Sequence, residues 1–150
     1  MASIRERILQ RFVQLLDGPG KPAGLTVHRY RTRAIESDKL PAQVVYPAAR
    51  GPAVAETVER WNQAGDLQRT LTVRVESRVA GNPPDEALDP YYLWAVEAVM
   101  ADPTLGGLAF DVQEEAVSFD AEEFQETIGA CAVDFRVTYI TSGYDPEKQR

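Results

Sequence analysis

One histidine, His28, and one cysteine, Cys131, are the only side chains of their kinds in 150 residues, and this limits the chemistry on offer. A serine or cysteine nucleophile activated by imidazole would have to use His28, and no G-x-S-x-G elbow presents one. His28 sits in LTVHRYRTR, a strand-like stretch, where a lone histidine reads as structural. Cys131 falls on the apolar side of the alternating run IGACAVDFRVTYIT, where a thiol packs as a small hydrophobe. A structural zinc site wants four ligands, mostly Cys or His, and one of each is too few. GPG and LGG lack the spacing of phosphate-binding loops. DVQEE and DAEE could offer oxygen ligands to magnesium or calcium. Neither has the glycine and terminal glutamate of a calcium loop, so both read as solvated acidic faces. Paired carboxylates for glycoside hydrolysis have no motif behind them. The expectation is a chain with no catalytic residue, no cofactor and no metal: not an enzyme.

Charge points instead to surfaces. The net charge is -7, which argues against non-specific binding to nucleic acid. Its distribution is uneven. Residues 1–50 carry nine Lys or Arg against four acids, whereas residues 51–150 carry seven against nineteen. No basic residue lies between Arg78 and Arg136. One reading is a solvated acidic surface. The other is a molecule with a basic side and an acidic side, which can stack head to tail with its own copies and close into a ring.

The elements that must carry these surfaces follow from period and punctuation. The length fits one domain, 1–150. No apolar run is long enough to span a bilayer, and the charges interleaved in MASIRERILQRF argue against a signal peptide. The lone cysteine fits a reducing compartment. Ser3-Ile4-Arg5-Glu6 is a capping box opening a helix whose apolar residues end near Leu16, before Gly18-Pro19-Gly20. LTVHRYRTR and PAQVVYP read as strands, the second brief or near an edge because prolines bracket it. Residues 54–79 read as a long hairpin turning at QAGD. Its return leg places Leu71, Val73, Val75 and Val79 on one face, and Thr70, Thr72, Arg74, Glu76 and Arg78 on the other. Trp61, near the tip, is either tucked onto the sheet or a contact for a partner.

Asp89-Pro90 reads as the cap and first turn of a second helix, with Tyr92, Leu93, Val96, Val99 and Met100 as its apolar stripe. Trp94, Ala95, Ala98 and Ala101 leave the opposite side hardly polar, so its cover is either the same subunit or a neighbour. Asp102-Pro103 stops the helix, and Gly106-Gly107 permits backbone angles that side chains oppose. LAFDVQEEAVSFD reads as a strand with a turn at Gln113 to Glu115, DAEEFQET as a polar connection or a single helical turn. In the closing strand Cys131, Val133, Phe135, Val137 and Tyr139 share one face. Residues 142–150 read as a flexible C-terminal tail. The order gives an α+β fold: a mainly antiparallel sheet with two helices packed on one face and a long protruding hairpin.

The segments IRERILQRFVQLL, LPAQVVYP, LTVRVESRV, ALDPYYLWAVEAVMADPTLGGLA and AVDFRVTYIT, in this order, resemble the tail terminator (minor tail) proteins of long-tailed phages, lambda type. The resemblance covers nearly the whole chain, and its most specific part is the helix running into ADPTLGGLA. It implies a small α+β domain forming a hexameric ring on the end of the tail tube. The ring halts tube polymerisation and offers a surface to head-completion or neck proteins. It implies no catalytic residues, no sequence-specific nucleic acid and no membrane. It places the protein in the virion, at the head-proximal end of the tail, after assembly in the host cytoplasm. The alternatives are a neck or tail-completion protein of the same particle or, in a different class, a cellular binding module or small enzyme using the acidic face. Interface residues expected on this reading are Arg60, Trp61 and Arg69 on the hairpin. A second set is the acidic group Asp111, Glu114 and Glu115, meeting basic residues such as Arg29 or Arg31 of the next copy.

Overall fold

A computed structural model describes residues 2–29, 40–49, 54–80, 84–123 and 127–149. The first helix, α1 (Ile4–Leu16), starts where the capping signal lies: the Glu6 amide donates to Ser3 Oγ at 3.1 Å. The reciprocal half of the box does not form, because Glu6 turns its carboxylate to Arg29 at 3.0 Å. Ile4, Ile8, Leu9, Phe12 and Leu16 are buried, the face that their spacing selects.

The described residues form a sheet of six strands: β1 (Thr26–Arg29), β2 (Ala42–Pro47), β3 (Glu56–Arg60), β4 (Leu67–Ala80), β5 (Asp111–Glu123) and β6 (Thr127–Thr141). Its order is β1-β2-β4-β6-β5, with β3 also on β4, and every pairing is antiparallel except β1 with β2. The fold is therefore α+β with a mainly antiparallel sheet. Alternation places Leu71, Val73, Val75, Cys131, Val133, Phe135, Val137 and Tyr139 under the helices, all buried. Phe12 of α1 meets Phe135 edge-on, ring centroids 5.6 Å apart. The opposite face is polar and cross-linked between strands, as by Arg74 and Asp134 at 2.7 and 3.1 Å.

β2 is brief, as its prolines imply, but it lies inside the sheet between β1 and β4. β2 and β3 run in the same direction along a single edge of β4, β2 against 73–78 and β3 against 67–71. Thr72 is the junction: its carbonyl accepts from Ala48 N and its amide donates to Ala55 O. The hairpin expected over 54–79 is thus real at its tip, but its outward leg pairs for only five residues.

The second helix, α2 (Pro84–Met100), corrects two expectations. It begins before Asp89, with Pro90 inside it. Pro90 and Glu86 are both exposed, so solvent can take the place of the missing N–H at the Glu86 carbonyl. Its buried residues are Leu88, Ala95, Ala98 and Val99, whereas Leu93 and Met100 face outward. From Tyr91 to Met100 only Glu97 is charged, so period is uninformative over this part of the helix. Gln43, fully buried, donates to Ser77 Oγ and to the Tyr91 carbonyl, both at 3.0 Å, and so ties β2 and β4 to this helix.

β5 is one strand across Gln113 to Glu115, where a turn was expected. The polar residues there form a β-bulge between Glu114 and Ala116. Of the expected connection or helical turn DAEEFQET, Asp120 to Glu123 continue the strand and Thr127 opens β6, while residues 124–126 lie outside the described residues. Residues 142–149, expected as a flexible tail, carry hydrogen bonds. Ile4 N donates to the Pro146 carbonyl at 3.0 Å, and Ser142 N to Lys148 O at 2.9 Å.

Candidate functional site

The two side chains that occur once in the sequence, Cys131 and His28, lie in strands of the sheet. Cys131 is buried, and burial pushes its thiol up to about 11. His28 Nε2 lies 2.9 Å from Thr26 Oγ1. Among the described residues no group of three or more His, Cys, Asp or Glu is arranged to hold a metal ion. A cleft of about 400 Å³ between the helices is lined by Leu15, Pro19, Trp94 and Ala98, with Arg11 and Glu97 among its polar groups. Arg11 is engaged there by Asp102 at 3.0 Å. Among the described residues no helix is long and apolar enough to cross a membrane.

The most densely bonded polar cluster joins three strands to a helix. Glu56 on β3 has a side chain only 9% exposed and accepts from Arg5 of α1 (2.9 Å), from Arg69 of β4 (3.1 Å) and from the Tyr139 hydroxyl of β6. Burial, reinforced by Glu56, raises the Tyr139 pKa. Arg69 also donates to Thr141 Oγ1 at 2.9 Å. Arg69, expected on the exposed hairpin, thus points to the helix side and is mostly buried; it anchors the base of the hairpin.

The tip is different. Arg60 donates to the carbonyls of Asn62 (3.0 Å) and Gln63 (3.1 Å). Asn62 and Asp66 exchange bonds at 2.9 and 3.1 Å, and Trp61 N donates to Asp66 O at 2.7 Å. These contacts fix the turn without help from the core. Trp61 is 49% exposed and lies 6.5 Å, centroid to centroid, from Phe110, which is 71% exposed.

Phe110 is the residue that sequence reading passed over. It ends the ADPTLGGLAF segment, whose Leu105, Gly106 and Gly107 all have positive φ (52°, 70° and 90°). A leucine in that region costs about 1–2 kcal/mol, and the fully buried Leu105 side chain offsets it. Three left-handed residues in a row turn the chain back toward the sheet, where Phe110 N donates to Thr138 O at 2.7 Å. The double glycine was the available signal. The apolar alternation placed Phe110 on the same side as the buried Val112 and hid its exposure.

The remaining expected residues divide between the two sides of the molecule. On β5, Glu114 is exposed and accepts from the Tyr92 hydroxyl at 2.6 Å, which raises the pKa of that tyrosine. Glu115 sits at the bulge, 3.9 Å from Arg136, and Asp111 opens the strand opposite Thr138. Arg29 lies at the far edge, on β1, where it donates to the Val45 carbonyl (2.9 Å) and to Glu6 (3.0 Å). Arg31 lies outside the described residues. The structure therefore groups Trp61 with Arg60 and Phe110, takes Arg69 inward, and sets Arg29 and the acidic trio at opposite edges of one sheet. No protein-family model matches the chain, and no curated protein matches it in sequence.

Proposed function

We propose that this chain is a structural assembly protein: a tail terminator of the lambda-type class that forms a ring on the end of a phage tail tube, ends tube growth and presents a surface for head joining. The observation that carries the reading is the Trp61–Phe110 pair. Trp61 stands half-exposed on a turn already fixed by its own hydrogen bonds, and Phe110, exposed at the end of a separate segment, meets it there. Rigid, amphipathic aromatic groups of this kind are where binding energy between proteins concentrates. The reactive groups, by contrast, are buried or engaged within the subunit, which favours assembly over turnover. The order of segments described above supplies the specific family. A head-to-tail ring suits a subunit whose charge is divided between its two sides.

The test is direct. Purified protein, alone or with tube protein, should form closed rings or capped tubes by negative-stain microscopy. Monomers at every salt concentration, with no binding to tubes, would overturn the reading.

A further inference from the structure

Strand β5 is an outer strand: among the described residues it pairs with β6 alone. An edge this long exposes a row of backbone donors and acceptors, which folded proteins normally cover or charge. This one is charged. Residues 111–123 contain six acids and no base. It is also apolar where a monomer would gain by being polar. Val117 and Phe119 pair with Val133 and Cys131, which places them on the helix-covered side of the sheet, yet they are 39% and 60% exposed. α2 packs over β4, β6 and the start of β5, and the helical layer runs out before it covers them.

The opposite side of the molecule has the complementary character. α1 packs over β1 and β2, at the other end of the strand order. Residues 2–29, which form that side, carry five Lys or Arg against two acids, and with Arg5 paired to Glu56 and Arg11 to Asp102 the side keeps a smaller basic excess that includes Arg7. An acidic, partly apolar edge and a basic helix-covered edge thus sit four strand steps apart on one sheet. Pairing of β5 with β5 of another copy would oppose six acids to six, which like-charge repulsion disfavours. Pairing with the α1–β1 side of another copy brings opposite charges together and continues the helical layer over Val117 and Phe119.

We propose that the β5 edge of one copy is covered by the α1–β1 side of the next, so that identical subunits join head to tail through opposite edges of their sheets. This rests on the ring reading above and names the surfaces that would make the ring.

Charge exchange tests it. One variant, Asp111→Lys with Glu114→Lys, reverses the β5 edge; a second, Arg7→Glu with Lys21→Glu, reverses the α1–β1 side. None of these residues belongs to the Glu56 cluster or to the core; Glu114 gives up its bond from Tyr92 and Lys21 its pair with Asp17, both exposed, so each variant should lose only a few degrees of melting temperature and stay folded. Each alone should lose assembly, at least tenfold in the concentration needed by sedimentation, and an equimolar mixture should recover it. Phe119→Glu should weaken assembly in the same way without reversing an edge. If the α1–β1 variant assembles as well as wild type, or the mixture fails to recover, the proposal is overturned. Rings that persist in both charge variants would overturn this interface while leaving the ring reading intact. A wild-type protein that never assembles would overturn both.

Discussion

At the scale of single residues, the decisive observation is that Glu56 receives three donors from three different elements. Removing one partner of such a cluster leaves the others poorly solvated, which is more costly than the net worth of any one pair. Glu56→Gln is expected to lower stability by about 2–3 kcal/mol, read as a shift of the urea midpoint with an unchanged slope. Tyr139 gives the same cluster a pH dependence. Its pKa is raised, so the folded state holds the phenolic proton after the unfolded chain has released it. That contribution is fully present below the ordinary tyrosine value, about 10, and is lost as pH rises through the folded value. Stability should therefore fall on the alkaline side of pH ~10, and Tyr139→Phe should flatten that part of the curve. A Tyr139→Phe protein with an unaltered alkaline slope would show that the loss comes from other groups. Cys131 is similar in sign, and its buried thiol should react with a maleimide at pH 8 only as fast as the protein unfolds.

At the scale of elements, legibility tracked how much one face differed from the other. α1, with charges between its apolar residues, was readable to its last turn, and β6 was readable residue by residue because Cys131, Val133, Phe135, Val137 and Tyr139 alternate with polar neighbours. α2 was not, since from Tyr91 to Met100 only Glu97 is charged, and packing in the folded molecule decides that Ala95 and Ala98 are buried. The β5 bulge looked like a turn because consecutive glutamates break alternation in both cases. The candidate site was legible at Trp61, whereas Phe110 and the inward turn of Arg69 depend on how separate segments meet. The 105–107 segment offers a test at this scale. Gly107 has φ 90° with open space around its missing Cβ, so the cost of a side chain is conformational rather than steric. Gly107→Ala should destabilise by about 1–2 kcal/mol and change the fluorescence of Trp61 through its neighbour Phe110. Unchanged stability would show that the loop can take another path.

At the scale of the whole molecule, the hairpin tip and the charged sides make different predictions about assembly. Trp61→Ala should weaken association while moving the melting temperature by no more than a degree or two, because half of the side chain is already in solvent. A large loss of monomer stability would instead make Trp61 part of the core. Oligomers held by opposite charges should loosen as ionic strength rises from about 0.05 to 0.5 M, which sedimentation will read directly. Indifference to salt would leave the aromatic contacts as the main attraction.

The single residue Thr72 closes β2 on one side and opens β3 on the other, through Ala48 and Ala55. Ala48 and Ala55 therefore meet β4 at the same rung, and β2 and β3 follow one another along a single edge of that strand. One rung of β4 thus couples the hairpin tip to the rest of that edge.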